Sequence, residues 1–238
     1  MTTARHFVIA IDGPAASGKS STAQWVAQQL GFRHVDSGAL YRAATAAQLR
    51  RKIPESSWTE EQVCDAARSI KLVPRGTSFT PLIEGVAADA ELRGSEVTRH
   101  VSRVASMPRV RQWVNDRVRE AASQNDVVAD GRDMGTTVFP DATLKVFLVA
   151  DSWERARRRL VQQLGRSPTD DEIAEETDRI VQRDARDATQ TVQAKDAELI
   201  DTTYLTQEEQ VERIVALARA VTQRETTTSE VDEAPGAG

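Results

Sequence analysis

The amino-acid sequence predicts an α/β fold with a central parallel sheet flanked by helices, and three observations carry this prediction. Residues 7–11 form a continuous apolar run that ends in Asp-Gly, as a strand buried on both faces does. A glycine-containing loop follows, and apolar side chains then recur with helical spacing from Ala23 to Leu30, before Gly31 ends the helix. Further apolar runs lie at 126–129, 144–150 and 199–200, with helical patterns between them.

Length and composition limit the kinds of protein that this chain can be. It has 238 residues, of which 39% are apolar and 28% charged, enough for a substantial core in one elaborated domain. The longest apolar runs are about five residues, whereas a membrane helix needs about 20, and Cys64 is the single cysteine. We therefore expect a cytoplasmic protein with no membrane partner, no internal disulfide and no cysteine-based zinc site.

Charge is distributed unevenly along the chain. Residues 224–238 carry four acids and one arginine, which leaves a net charge of −2 on residues 1–223 out of −5 in total. We interpret 1–223 as the folded domain and 224–238 as a disordered acidic tail. A nearly neutral body is not typical of nucleic-acid-binding proteins, whose affinity depends on a broad basic face. An anionic ligand must then be held by local arginines.

Several helix boundaries can be predicted from capping residues. Asp151 with Glu154 begins a helix that runs to about residue 163, and Gly165 breaks it. Pro168 is expected at the first position of the next helix, and Thr206 begins the last one.

One segment departs from the alternation of strands and helices. Between about 71 and 94, glycines and a proline separate short apolar runs. This pattern predicts a small β-rich insert rather than another βα unit.

The motif that carries chemistry follows the first strand. Residues 13–20 read Gly-Pro-Ala-Ala-Ser-Gly-Lys-Ser and fit the phosphate-binding P-loop at every fixed position. Backbone N–H groups of such a loop surround phosphate oxygens, Lys19 reaches the outer phosphates, and the Ser20 hydroxyl binds Mg²⁺. The alternative is a glycine-rich turn that binds no phosphate. The residues predicted to bind ATP are Gly13, Pro14, Ala15, Ala16, Ser17, Gly18, Lys19, Ser20 and Ser21.

Other residues indicate which class of P-loop protein this is. No Asn-Lys pair for guanine is present, and Asp130 is followed by glycine rather than by the glutamate of an AAA-type ATPase. Arginines and acids follow two strands instead, in residues 36–42 and 130–135. Both segments are expected at the carboxyl edge of the sheet, beside the P-loop. We interpret them as the site of a second, phosphate-bearing substrate; the alternative for Arg42 and Arg132 is surface ion pairing.

Four segments together resemble one family, the bacterial cytidylate kinases. They are residues 9–14, 36–38, 107–111 and 130–136, the last followed by Val-Phe-Pro-Asp at 138–141. The resemblance extends from about residue 7 to 222. It implies a P-loop kinase fold with a monophosphate-binding insert at about 60–105 and a mobile lid at about 153–190. It also implies transfer of the ATP γ-phosphoryl group to CMP or dCMP, with Mg²⁺, giving CDP or dCDP and ADP.

The resemblance assigns roles to the acceptor site. Residues that match contacts to the monophosphate are Ser37, Arg42 and Arg132. Residues that match contacts to the cytosine are Ser102, Arg111 and Asp133, and Asp187 matches an acid that contacts the sugar. These roles are physically sensible, because cytosine offers an amino donor and ring acceptors, and therefore needs both an acceptor and a donor from the protein.

The lid segment supplies the remaining candidates. With Lys19, the predicted catalytic residues are Arg155, Arg159 and Arg183, which neutralise the charge of the transferring phosphoryl group. The alternative is an ordinary basic helix face. Gln190 stands where the family commonly has an arginine, so either Arg186 takes that place or the lid contacts differ.

Two other functions stay open at this point. One is a P-loop kinase acting on UMP, AMP or a metabolite such as shikimate. The other is a nucleotide-binding regulator without transfer activity, which the glutamine at position 190 suggests. The partners expected from the preferred function are ATP and CMP or dCMP, bound to a monomer with no nucleic-acid partner.

Overall fold

The structure, a computed structural model, describes the backbone of residues 6–232 and the side chains of residues 6–223. Its strands are β1 (Val8–Asp12), β2 (Arg33–Asp36), β3 (Ile70–Arg75), β4 (Ser78–Ile83), β5 (Val86–Ala87), β6 (Val127–Asp130), β7 (Leu144–Val149) and β8 (Glu198–Asp201). Its helices are α1 (Lys19–Leu30), α2 (Ser37–Arg50), α3 (Glu60–Ala67), α4 (Asp89–Leu92), α5 (Ser95–Ala105), α6 (Pro108–Ala122), α7 (Ser152–Leu164), α8 (Asp170–Asp187) and α9 (Gln207–Asp232). A 3₁₀ turn spans Glu55–Ser57 and a π-helical turn spans Met134–Val138.

The strands of the described residues form one sheet in the order β3-β4-β2-β6-β1-β7-β8, with β5 paired to β4. The five strands from β2 to β8 in this order pair in parallel, which confirms the predicted core. The β-rich segment is also confirmed, but β3, β4 and β5 pair antiparallel. Their connections are only two residues long, and a parallel connection needs a crossover of a dozen residues or more. The predicted insert therefore forms an antiparallel edge on the predicted parallel sheet.

Two hydrophobic clusters cover the two faces of the sheet. Along β1, Ala10 belongs to the cluster with α2, α3, α5 and α6, whereas Ile9 and Ile11 belong to the cluster with α1 and α9. This alternation follows from the two-residue period of a strand. A third, separate cluster joins α7 to α8, so these two helices form a hairpin with a small core of its own.

The predicted helix ends are mostly confirmed. Gly31 and Gly165 adopt the left-handed conformation directly after α1 and α7, and the Asp151 side chain accepts the N–H of Trp153 and Glu154. Pro168 is not the first residue of α8, because Thr169 and Glu172 form a reciprocal capping box that starts this helix at Asp170.

The boundary predicted at residue 224 does not mark the end of the last helix. The backbone of α9 continues to Asp232, and residues 233–238 of the predicted tail lie outside the described residues. The helix meets no glycine or proline before Pro235, so the sequence contains no residue that would stop it earlier. None of the helices among the described residues has the length and apolar character needed to cross a bilayer.

Candidate functional site

The P-loop occupies the connection from β1 to α1, at the carboxyl edge of the sheet and between the ends of β6 and β7. Gly13 has a φ of +148°, and a Cβ there would lie 2.2 Å from the carbonyl oxygen of Leu148. A side chain at this position cannot be accommodated, because the contact is with rigid backbone. Ala16 and Gly18 also have positive φ angles, of 57° and 89°. These turns give the loop the curved path from which backbone N–H groups can converge on an anion.

Lys19 is buried within the loop, with 6% of its surface exposed. Its Nζ donates to the carbonyl oxygen of Pro14 at 2.5 Å and to Ser17 Oγ at 3.3 Å. Burial lowers the pKa of Lys19 well below its usual value, and the nearby positive charge of Arg132 lowers it further. A bound phosphate would supply the negative charge that this ammonium lacks.

Carboxylates end three neighbouring strands beside the loop. Ser20 Oγ donates to Asp130 Oδ2 at 2.6 Å, and His34 Nε2 lies 2.7 Å from Asp130 Oδ1. Asp36 has a raised pKa because it is buried and faces Asp130. Hydroxyl and carboxylate oxygens suit Mg²⁺, which is usually held by one or two carboxylates together with substrate phosphates and waters. Ser20 and Asp130 therefore fit a magnesium site. The role of Asp130 was not predicted, because glycine follows it instead of the glutamate of an AAA-type ATPase.

Four arginines lie near one another, and two of them, Arg132 and Arg183, are also near Lys19. Arg42 extends from α2, Arg132 follows β6, and Arg159 and Arg183 come from α7 and α8. Burial, together with the charges of Arg132 and Arg42, lowers the pKa of Arg183 to about 10. Burial likewise lowers the pKa of Arg42, with Arg159 and Arg132 contributing. The four guanidinium groups thus lie within electrostatic range of one another.

This arginine cluster (Arg42, Arg132, Arg159 and Arg183) has too little negative charge around it. Asp187 lies 3.7 Å from Arg132 and 3.6 Å from Arg183, and Glu176 lies 2.9 Å from Arg159. The Nε atoms of Arg132 and Arg183 are buried without a hydrogen-bond partner, whereas Arg159 Nε forms the ion pair with Glu176. Buried donors of this kind are costly unless a ligand pairs with them. The cluster is therefore built to receive an anion that faces the P-loop.

A second group of polar side chains surrounds Arg111. Arg111 Nη2 donates to Asp133, and its Nη1 donates to Gln190 Oε1 at 3.0 Å. The guanidinium also sits 5.9 Å from the centre of the Tyr41 ring. The Tyr41 hydroxyl is buried without a partner, and burial raises its pKa. An acceptor, a donor and an aromatic face thus stand together beside the anion site.

The loop that carries Arg132 and Asp133 is fixed by Asp12, the last residue of β1. The N–H groups of Met134 and Gly135 donate to its two carboxylate oxygens at 2.8 and 2.7 Å. Burial raises the pKa of Asp12 to about 6. A role for Asp12 was not predicted, although its position at the end of the strand that enters the P-loop is visible in the sequence.

The structure brings most of the residues predicted for the acceptor site together, and the two predicted serines have the following surroundings. Ser37 Oγ donates to the Asp130 carbonyl oxygen at 2.8 Å, which holds the start of α2 against β6. Ser102 lies half-buried on α5, and no hydrogen bond of its hydroxyl occurs among the described contacts.

The lid arginines divide by role. Arg155 does not face the arginine cluster: its Nη1 donates to the carbonyl oxygen of Ala15 at 2.8 Å and to Asp184 at 2.6 Å. Arg186 is exposed and donates to the Gln182 carbonyl oxygen of its own helix, so it does not replace an arginine at position 190. The direct catalytic role predicted for Arg155 therefore has no support in the geometry.

Comparisons with known proteins agree along nearly the whole chain. Residues 9–220 match the family model described as Cytidylate kinase. Cytidylate kinase of Chloroherpeton thalassium (strain ATCC 35110 / GB-78) is 40% identical over 228 residues, 92% of this chain and 96% of the relative. Cytidylate kinase of Bordetella bronchiseptica (strain ATCC BAA-588 / NCTC 13252 / RB50) is 42% identical over 219 residues, 90% of this chain and 95% of the relative. Among solved structures, a gluconokinase from Sinorhizobium meliloti 1021 aligns with a TM-score of 0.49 and 13% identity, over 94% of this chain and 98% of that chain.

Proposed function

Because this chain belongs to the cytidylate kinase family, we propose that it transfers the γ-phosphoryl group of ATP to CMP or dCMP, giving ADP and CDP or dCDP. One observation carries the proposal. The arginine cluster lies beside the P-loop, close enough for Arg132 and Arg183 to lower the pKa of Lys19. Two anion sites therefore face each other, as transfer between two phosphate-bearing substrates requires.

The reaction requires the protein mainly to position the two substrates and to neutralise charge. A monophosphate oxygen is already an anionic nucleophile, so no side chain has to act as a strong base. Lys19 and the cluster arginines neutralise the charge that spreads over the transferring phosphoryl oxygens. When bound, Mg²⁺ supplies further neutralisation at the donor phosphates, and Ser20 and Asp130 are the residues that would hold it.

The nucleobase is read by the group around Arg111. Asp133 accepts from the cytosine amino group, while Arg111 donates to the ring acceptors. Uracil reverses the polarity at two of these positions and leaves buried groups unpaired, at a cost of about 1–3 kcal/mol each. This pairing favours cytosine over uracil.

We further propose that residues 60–105 enclose the monophosphate and that residues 153–190 act as a lid. The hairpin of α7 and α8 supports this, because these two helices pack on a core of their own. Closure of such a hairpin excludes water that would otherwise hydrolyse ATP. Cytoplasmic location, a monomeric state and the absence of a nucleic-acid partner complete the proposal; the near-neutral charge of the domain supports the last of these.

An acceptor panel tests the function. ADP release from MgATP is followed in a coupled assay with CMP, dCMP, UMP, AMP and shikimate as acceptors. We expect CMP and dCMP to have the highest kcat/KM. Faster turnover of AMP or shikimate than of CMP would contradict the proposed substrate. ATP binding without CMP-dependent ADP release would instead indicate the regulator.

A further inference from the structure

Both helices of the lid hairpin form hydrogen bonds to the same P-loop residue, Ala15. Asp184 on α8 accepts the N–H of Ala15 through Oδ1 at 3.0 Å. Arg155 on α7 donates through Nη1 to the carbonyl oxygen of Ala15 at 2.8 Å. Arg155 and Asp184 are also paired with each other at 2.6 Å. Both backbone polar groups of Ala15 are therefore engaged by one ion pair of the lid, which we call the lid clasp (Arg155, Asp184 and Ala15).

Arg155 and Ala15 of the clasp are buried, Asp184 is partly exposed, and the clasp lies next to Ala16 of the loop. Arg155 is 6% exposed and Ala15 2% exposed. Ala16 follows with a φ of 57°, in the left-handed region that residues with a Cβ rarely adopt. Its side chain packs against the lid cluster that contains Ala156 and Leu160. A conformation of this kind persists only where the surrounding structure fixes it.

We propose that Asp184 is a positioning residue for the donor nucleotide. Through its pair with Arg155 it holds Ala15, and thereby keeps Ala16 in the left-handed conformation. The remaining N–H groups of the loop are then directed towards the phosphates before the nucleotide arrives. This role explains why a basic residue in the predicted catalytic set points at loop backbone instead of the arginine cluster. The proposal depends on the donor half of the proposed function and not on the identity of the acceptor.

A purely structural role for the ion pair makes a different prediction. If the pair only attaches the lid, its loss weakens nucleotide binding by the same factor whatever residue occupies position 16. If the pair instead holds Ala16 in its left-handed conformation, the clasp becomes unnecessary once position 16 carries a residue that adopts a positive φ freely. Glycine is such a residue. A double-mutant cycle between Asp184 and Ala16 therefore separates the two roles.

The cycle is measured by isothermal titration of the full chain with MgADP, without an acceptor. Asp184→Ala is expected to weaken MgADP binding about tenfold or more, as the loss of charge-assisted hydrogen bonds does. In the Ala16→Gly background the same change is expected to weaken it about threefold or less. Asp178→Ala is the matched control, because this exposed acid lies on the same helix without a contact to the loop.

Two results would overturn the proposal: unchanged MgADP affinity in Asp184→Ala, or an equal loss in the two backgrounds. Thermal unfolding of each variant checks that the fold is retained. If Asp184→Ala does not fold, Asp184→Asn is used in the same cycle with the same expectations of loss and recovery. Since no acceptor is present, failure of this cycle is distinguishable from failure of the acceptor panel.

Discussion

At the residue scale, Lys19 shows that burial of an ammonium group costs free energy. Its ammonium is buried, and in the structure it bonds to a loop carbonyl oxygen and a serine hydroxyl, neither of which is charged. The favourable partner is a phosphate. Binding of the donor nucleotide therefore restores the stabilisation of the charged form that burial of Lys19 removes. Lys19 therefore stabilises the transition state of phosphoryl transfer far more than it stabilises the fold.

Replacing Lys19 by alanine is expected to lower kcat about 100- to 1,000-fold, because one preorganised cation at the transferring phosphoryl group is lost. Steady-state kinetics with saturating CMP measures this. The melting temperature is expected not to fall, since burial opposes the charge that is removed. Lys195→Ala, at an exposed lysine, is the control. A loss of kcat below tenfold in Lys19→Ala would contradict the assigned role.

Arg111 is expected to act on the acceptor instead of the donor. Arg111→Ala should raise the KM for CMP about 10- to 100-fold, as the loss of a charged hydrogen bond to the base does, and change the KM for ATP about twofold or less. Initial rates at varied CMP and varied ATP provide both constants. Arg109→Ala, an exposed position on the same helix, should match the unchanged protein. A fall in kcat with unchanged KM for CMP would argue against base recognition.

At the scale of elements, the end of β1 couples the two substrate sites. The strand leads into the P-loop, and its last residue, Asp12, accepts two N–H groups from the loop that carries Arg132 and Asp133. A single carboxylate thus fixes the acceptor loop relative to the donor loop. The coupling depends on the protonation of that carboxylate.

The pKa of Asp12, raised to about 6, makes this coupling dependent on pH. Above pH 6 both oxygens are free to accept, whereas below it a proton occupies one of them. We therefore expect the KM for CMP to rise as the pH falls through about 6. The phosphate of CMP titrates in the same range, so the comparison is with Asp12→Asn, which should lose the part of the pH dependence that belongs to Asp12. Identical profiles of KM against pH in the two proteins would disprove this coupling.

The raised pKa of Asp12 also affects the stability of the fold, and in the opposite direction with pH from its expected effect on CMP binding. Because it lies above the ordinary value of 3.8, the folded protein binds a proton more tightly at Asp12 than the unfolded chain does. Ionisation of this group therefore destabilises the fold progressively as the pH rises from about 4 to about 6, and the full penalty remains above that range. The carboxylate is retained in a position that costs stability, as expected of a functional residue.

Elements with a strong local pattern could be predicted, and those defined by long-range pairing could not. Residues 7–11 and the helix ending at Gly31 were correctly identified, because burial on both faces and helical spacing are visible in the sequence. The orientation of β3 to β5 was not, since the composition that indicates strands does not indicate the direction of their partners. The start of the tail was predicted at residue 224 because the composition there is polar. The backbone of α9 continues to Asp232, since no helix-breaking residue precedes Pro235.

For the whole molecule, stability depends on the two layers that enclose the sheet. Ile9 is fully buried in the cluster that joins β1 to α1 and α9. Ile9→Ala is expected to lower the free energy of unfolding by about 2–5 kcal/mol, through lost burial and the cavity that remains. Urea denaturation measures this. Leu199→Ala, at a strand position that is 57% exposed, is the control and should change the free energy by about 0.5 kcal/mol or less. Equal effects of the two substitutions would show that the sheet face is not the core.

The sequence by itself determined the P-loop, the strand that precedes it and the family, because these depend on residues adjacent in the chain. It also identified Arg42, Arg111, Arg132 and Asp133 as a set. Only the tertiary structure separated Arg155 from Arg159, which lie one helical turn apart on α7. Asp184 and the Ala15 backbone bind the first, whereas Glu176 pairs with the second beside the open anion site. The direction of a guanidinium is set by the charges packed against it, and these come from a different helix, α8.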